Sequence, residues 1–311
     1  MKIYELCYPD HVLINHEGTY ALAIGFFDGL HKGHQTVIQN AVKEAKALGI
    51  KSAVMTFDPH PSHVLGGGRS KVGYITPFQE KVNILTSLGI DTLFVVKFDV
   101  ALAALSPERF IDVFIKQLGV KHVTAGFDYS FGAKGAGTME DMKEMSDGLY
   151  ETTVIGKVTD QEDKISSTRI RKLLGEGKVE EAASLLGRNF RTIGTVVHGE
   201  KNGRKLGFPT ANVLPPKDSI LPLNGVYAVR FTAKGKTYDG VCNVGVKPTF
   251  EQEQQQAIVE VHVLDFDGDL YGQEVTVEWI YFIREEKKFA SFDALIEQIG
   301  KDKARAAELL K

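Results

Sequence analysis

The stretch YALAIGFFDGLHKGHQTVIQNAVKEAKALG, residues 20–49, decides the fold class. Its opening YALAIG reads as a short apolar strand. Val37, Ile38, Ala41, Val42, Ala45 and Leu48 then recur at helical spacing, and Gly49 suits the stop. Strand running into amphipathic helix is half of a βαβ unit, and the pattern repeats. Residues 51–57, 91–98, 120–126 and 150–158 read as further strands. Thr76 with Gln79 forms a capping box around Pro77, and Ser106-Pro107-Glu108 opens another helix that Gly119 closes. Five alternations predict a parallel sheet covered on both faces.

The period changes near Gly187. From Phe190 onward the runs 190–198, 207–214, 225–234, 236–245, 257–266 and 273–282 are β-rich. Lys234-Gly235-Lys236 and Asp267-Gly268-Asp269 read as hairpin turns. So many antiparallel strands in so short a span most simply close into a small barrel, which removes exposed edges. A last helix, 291–310, is expected to pack through Leu295, Ile296 and Ile299. The expected domains are therefore 1–186 and 187–311.

Composition agrees with two folded domains. The chain has 311 residues, 43% hydrophobic and 25% charged, which excludes disorder and fibrous classes. Its longest apolar stretch, residues 20–27, is far shorter than the ~20 residues that span a membrane. The N-terminus MKIYELCYPD has no apolar signal core, and Cys7 and Cys242 form no metal or disulfide framework. A cytoplasmic protein is the expectation. Residues 1–186 carry 20 Lys and Arg against 23 Asp and Glu, and residues 187–311 carry 17 against 17. Neither half has the basic excess that nucleic-acid binding requires.

The unusual residues follow the strands, where ligands of open α/β sheets bind. GFFDGLHKGH (Gly25 to His34, with Phe27, Asp28, Gly29, His31 and Gly33) sets two imidazoles beside the amides of a helix start. That arrangement suits a phosphate. A tight turn with solvated histidines is the plainer alternative, but the full motif favours function. TFDPHP brings Asp58, His60 and Pro61. In GFDYSFG, residues 126–132, Asp128, Tyr129 and Phe131 either floor a ring-binding pocket or belong to the core. ISSTRIR, residues 165–171, offers Ser167, Thr168 and Arg171 as a phosphate cradle or as an ordinary N-cap. In the second half, GEKNGRKLGFPTAN carries Gly199, Lys201, Gly203, Arg204, Gly207 and Pro209. It is either a loop over phosphates or a solvated hairpin. Thr210 and Asn212, two apart on a strand, share a face and are neutral oxygen donors of the kind that suit Mg²⁺. Asn243 and Glu260 follow. A carboxylate inside an apolar strand is there as an ion-pair partner or as a general base.

These motifs, in this order, resemble the bacterial bifunctional riboflavin kinase/FMN adenylyltransferases, also called FAD synthetases. GFFDGLHKGH and ISSTRIR are similar to the two signatures of that family's nucleotidyltransferase domain, and GRKLGFPTAN to its flavokinase signature. The resemblance covers essentially the whole chain. It implies a Rossmann-like nucleotidyltransferase domain followed by a riboflavin kinase β-barrel with a C-terminal helix. It implies two reactions: ATP phosphorylates riboflavin to FMN on the barrel, and a second ATP adenylylates FMN to FAD on the first domain.

Carried over, His31 and His34 contact the ATP phosphates together with Gly25, Phe27, Asp28, Gly29 and Gly33. Ser167, Thr168 and Arg171 hold the triphosphate. Asp58, His60, Pro61, Asp128, Tyr129 and Phe131 hold the flavin, although position 128 is often Asn in the family. On the barrel, Gly199, Lys201, Gly203, Arg204, Gly207, Pro209, Thr210 and Asn243 bind ATP, and Thr210 and Asn212 ligate Mg²⁺. Glu260 is the base, with Arg284 beside it at the flavin. The implied partners are riboflavin, FMN and ATP, with no nucleic acid and no membrane, and a homo-oligomer is compatible with them. A tRNA-charging enzyme with an HxGH motif would need a KMSKS-like loop and a basic surface, and the sequence has neither.

Overall fold

The structure is a computed structural model and describes residues 1–9, 18–66, 73–199, 203, 206–247 and 256–311. Lys201 and Arg204 lie outside these. Backbone contacts divide the chain into two compact units, Met1–Gly73 with Phe78–Ser166 and Tyr74–Pro77 with Ser167–Lys311.

The first unit is a six-stranded parallel sheet in the order β1-β4-β3-β2-β5-β6. Its strands are β1 (Lys2–Leu6), β2 (Tyr20–Ile24), β3 (Lys51–Asp58), β4 (Thr92–Lys97), β5 (Val120–Gly126) and β6 (Glu151–Ile155). The helices are α1 (Lys32–Leu48), α2 (Pro61–Leu65), α3 (Phe78–Ser87), α4 (Val100–Ala103), α5 (Pro107–Ile111) and α6 (Met139–Glu144). Strand β2 is wholly buried. Leu22 and Ile24 face a core with Phe94 and Phe114, whereas Ala23 faces Ile38 and Ala41 of α1. Apolar side chains on both faces are what a parallel sheet requires. A short antiparallel ribbon, β7 (Thr159–Asp160) with β8 (Asp163–Lys164), follows. The expected capping residue Thr76 precedes α3 but groups with the second unit, where its hydroxyl accepts from Arg188 at 3.1 Å.

The second unit opens with α7 (Ser167–Gly175) and α8 (Val179–Leu186). Helix α8 buries Val179, Ala182, Leu185 and Leu186 and packs on β9 and β14 of the barrel, so these two helices group with the strands that follow. The barrel strands are β9 (Phe190–Val197), β10 (Ala211–Leu214), β11 (Gly225–Ala233), β12 (Lys236–Lys247), β13 (Gln256–Val263) and β14 (Glu274–Arg284). They close in the order β10-β13-β12-β11-β14-β9, with every pair antiparallel. Tyr227, Phe231 and Trp279 fill the interior, and the indole N–H donates to Thr192 at 2.9 Å. Alternate residues Val226 and Ala228 point outward, against Ala306 and Leu310 at the end of α9 (Phe292–Leu309).

Two expectations need correction. Lys234-Gly235 does turn a hairpin, with both residues at positive φ, between the paired strands β11 and β12. Asp267-Gly268-Asp269 does not, because β13 and β14 are not neighbours in the barrel. The segment joining them crosses the barrel end, which is why it is long enough to line a cavity. Helix α9 seats its C-terminal half rather than Leu295, Ile296 and Ile299, and Ile296 is exposed. The buried charge of Asp302 anchors that half.

Candidate active sites

In the first unit the chain leaves β2 through a turn that few sequences can make. Phe27 and Leu30 have φ of 52° and 43°, and Gly29 has 84°. Left-handed backbone at a bulky side chain is held only where the surroundings enforce it, and such sites are commonly functional. Phe27 is buried and meets His34 edge to face at 5.3 Å. His31 caps α1: its Nδ1 accepts the backbone N–H of His34 at 3.2 Å. An accepting Nδ1 leaves the neutral ring's proton on Nε2, so His31 can offer Nε2–H as a donor.

The two imidazoles stack with centroids 3.6 Å apart, and a Cβ at Gly33 would lie 3.2 Å from the His31 ring, tighter than ordinary contact. Burial holds the His34 pKa well below its ordinary value, and any positive charge on His31 together with the charges of Lys81 and Lys164 adds to this. Nδ1 of His34 is buried without a hydrogen-bond partner. A buried polar atom left unpaired is costly, which marks this ring as placed for something other than packing alone.

Beyond the carboxyl ends of β2 to β5 lies a cavity of about 400 Å³ lined by Phe26, Phe57, Phe98, Phe110, Tyr129 and Phe131, with Pro61 and Asp128 also on its wall. Tyr129 and Phe131 stack at 6.1 Å, and burial alone raises the Tyr129 pKa. The cavity brings Pro61, Asp128, Tyr129 and Phe131 of the expected flavin set together. Asp58 and His60 are not among its lining residues. His60 instead caps α2, accepting from the Ser62 N–H at 3.0 Å, and packs on Phe26 at 4.3 Å. Asp128 is ion-paired with Lys164, whose ammonium also lies 4.7 Å over the Phe127 ring. Ser167, Thr168 and Arg171 stand in the first turns of α7.

On the barrel, strand register assembles a second set. Glu260 of β13 is directly opposite Asn212 of β10 and Asn243 of β12. Opposed residues of antiparallel strands share a face, so the three form one polar row. Asn243 in turn opposes Val226, which points at α9, so the row is on the outer face of the barrel. Glu260 is thus half-buried outside, not a carboxylate within the strand core as the apolar run suggests. It nevertheless adds, after burial, to what pushes the Cys242 thiol well above its ordinary value.

Close backbone approach marks the loop before β10. A Cβ on Gly199 would lie 2.5 Å from the Asn212 side chain, and one on Gly203 would lie 2.4 Å from the Phe208 carbonyl and 3.3 Å from Thr210 Oγ1. Gly207 has φ of 82°. His262, on the same face as Glu260, donates Nδ1–H to the Pro209 carbonyl at 2.8 Å and so pins the loop. Pro209 and Thr210 border a cavity of about 420 Å³ whose other wall is Phe266, Leu270 and Tyr271. Tyr271 packs on His198 at 3.9 Å. At the other end of the row, the Glu286 carboxylate and the Asn243 amide lie 2.7 and 3.4 Å from where a Cβ on Gly245 would be. Arg284 donates through Nε and Nη2 to the buried Asp302 at 2.7–3.1 Å.

Comparison with known proteins assigns both halves. Residues 13–169 match the FAD synthetase family model, and residues 186–310 match the riboflavin kinase model. The chain belongs to the bifunctional riboflavin kinase/FMN adenylyltransferase family. A member from Listeria monocytogenes is 47% identical over 90% of this chain and 89% of its own, and one from Bacillus subtilis is 45% identical over 98% and 97%. A solved structure described as a macrolide-efflux protein from Streptococcus pneumoniae matches with a TM-score of 0.88 at 33% identity, over 97% of this chain and 98% of that one. Among the described residues, no helix is long and apolar enough to cross a membrane.

For a bifunctional flavin enzyme, sequence reading missed most of the aromatic wall. Phe26, Phe57 and Phe98 each stand at or just beyond the end of a strand, which was the available signal. Tyr271 and His198 had none, since the segment carrying Tyr271 read as a hairpin.

Proposed function

We propose that the barrel, residues 187–311, phosphorylates riboflavin and that the α/β domain, residues 1–186, adenylylates the FMN produced, in a cytoplasmic enzyme that acts on small molecules alone. The observation that carries this is the row Asn212–Glu260–Asn243, one carboxylate between two amides beside a glycine-rich loop.

In the kinase reaction, Glu260 takes the proton of the terminal ribityl hydroxyl as that oxygen bonds to the γ-phosphorus and the bond to ADP breaks. General-base help of this kind is worth ~10²–10⁴ in rate. The loop of Gly199, Lys201, Gly203, Arg204, Gly207 and Pro209 covers the ATP phosphates, and the cavity walled by Tyr271 accepts the nucleotide. Asn243 orients ATP across the row. Arg284, anchored on Asp302, borders the flavin.

Thr210 and Asn212 suit Mg²⁺. Glycines at 199 and 203 leave both side chains room that a Cβ would fill. The described residues also contain no group of three His, Cys, Asp or Glu that would make a dedicated metal cage. Neutral oxygens of this kind fit an ion that arrives with phosphates and waters. When bound, Mg²⁺ neutralises phosphate charge.

In the adenylyl transfer, an FMN phosphate oxygen bonds to the α-phosphorus of ATP and pyrophosphate leaves. That phosphate is already a nucleophile, so no base is required, and positioning and charge neutralisation dominate. His31 and His34 offer N–H donors to the phosphates, at the turn formed by Gly25, Phe27, Asp28, Gly29 and Gly33. Ser167, Thr168 and Arg171 keep the triphosphate-holding role that the resemblance assigns. The aromatic cavity receives the isoalloxazine ring, and Lys164 offsets the charge of Asp128 at its rim.

The test is incubation with riboflavin and Mg-ATP alone, followed by chromatography. FMN is expected first and FAD second, with a chelator in excess stopping both. Unconverted riboflavin overturns the kinase assignment, and FMN that never becomes FAD overturns the other.

A further inference from the structure

Lys81 of α3 is 5% exposed, an uncommon fate for a lysine. Its ammonium donates to the Phe26 carbonyl and to Thr56 Oγ1, each at 3.1 Å, and the Thr56 hydroxyl donates to the same carbonyl at 2.8 Å. Both acceptors are neutral. Burial pushes the Lys81 pKa down to about 8, partly opposed by the charges of Asp28 and Asp58. An apolar residue would fill this space more cheaply, so packing alone does not explain a cation here.

Position does explain it. The Phe26 carbonyl immediately precedes Phe27, where the backbone turns left-handed toward His31. The Phe26 ring lines the aromatic cavity, and the ammonium is 5.0 Å from its centroid. One ammonium therefore grips the point at which the cavity wall becomes the histidine turn, from a helix that supplies neither.

We propose that Lys81 is a positioning residue for adenylyl transfer, holding the Gly25–Gly29 turn through the Phe26 carbonyl so that flavin and histidines keep one fixed geometry. This rests on that turn being the adenylyl-transfer site. The charged and titratable groups facing Lys81 are Asp28 on the turn, Asp58 at the end of β3 and His34 on α1, with His34 itself lowered in part by the Lys81 charge.

The test measures FAD formation from FMN in full-length Lys81→Met, Thr56→Val and His31→Ala, with riboflavin phosphorylation by the same molecules as the internal control. Lys81→Met should lower kcat by ~10²-fold, the scale of a small misplacement. KM for FMN and ATP should stay within a few-fold, and kinase activity should be normal. Wild-type kcat should fall between pH 7 and 9 as the ammonium is lost, and the variant should lack that fall. Thr56→Val keeps the ammonium but removes two hydrogen bonds, the one accepted from Lys81 and the one donated to the Phe26 carbonyl, so a drop of about tenfold in kcat is expected at temperatures where the variant is fully folded. If Lys81→Met does not fold, Thr56→Val decides. Wild-type kcat in Thr56→Val, or in a folded Lys81→Met with the wild-type pH profile, overturns the proposal. If His31→Ala also forms FAD normally, the site reading itself is wrong and the proposal falls with it.

Discussion

Replacing Asp302 by asparagine isolates the buried ion pair that seats the last helix. The Arg284 and Asp302 side chains are 15% and 4% exposed. Asp302 accepts from Nε and Nη2 of Arg284 and, at 2.9 Å, from the amide of Gln298. A neutral amide in place of the carboxylate cannot balance the guanidinium charge, and breaking a buried pair from one side costs ~3–5 kcal/mol. For a unit of this size each kcal/mol lowers Tm by ~2–4 °C, so Asp302→Asn should melt roughly 6–20 °C lower. The assay is intrinsic: Trp279 is the single tryptophan of the sequence and is buried within the barrel, so its fluorescence follows that unit. Replacing both partners, Arg284→Met with Asp302→Leu, should recover most of the loss, because matched apolar residues need no counter-charge. At temperatures where Asp302→Asn is still folded, riboflavin phosphorylation should fall as Arg284 shifts, while FMN adenylylation stays normal. A Tm change under about 3 °C, or a double variant less stable than the single, refutes the reasoning.

Acid should destabilise the first unit through His34. Its folded pKa is held below 6.5 by burial first. As pH falls below 6.5 the unfolded chain gains a proton that the folded one refuses, and stability drops. Denaturant titrations of His34→Gln between about pH 5 and 7.5 should show a shallower acid loss than wild type, and an identical slope contradicts the assignment. In the second unit, Gly199→Ala puts a Cβ 2.5 Å from the Asn212 side chain, at a backbone angle any residue accepts. Riboflavin phosphorylation should fall by ~10-fold or more with FAD formation from FMN intact, and normal phosphorylation contradicts the Asn212 role.

Periodicity made most strands legible, because buried parallel strands and half-buried barrel strands leave clear apolar runs. Strand β1 escaped for the opposite reason: KIYEL has a single fully buried residue, Leu6, and pairs only at the sheet edge. The segment 264–273 was misread because turn chemistry is local, whereas strand order in a closed barrel is not. The histidine turn and the loop before β10 stood out because their glycines, histidines and charges cluster in short motifs that break the apolar period. The row of Asn212, Glu260 and Asn243 could not be read, since register between strands far apart in sequence joins it. Lys81 was hidden by its type, for a lysine on an amphipathic helix is ordinarily solvated. Its role depends on which carbonyl it reaches, and only the fold supplies that.

On this reading one chain runs two reactions on two separate residue sets. The most direct test measures both rates, riboflavin to FMN and FMN to FAD, in Glu260→Gln and in His31→Ala. Glu260→Gln should lose ~10²-fold or more in the first rate and keep the second. His31→Ala should do the reverse, losing ~10²–10³-fold in the second rate, the scale of one preorganised donor. If either variant lowers both rates in parallel, or leaves both at wild-type values, that division of labour is contradicted.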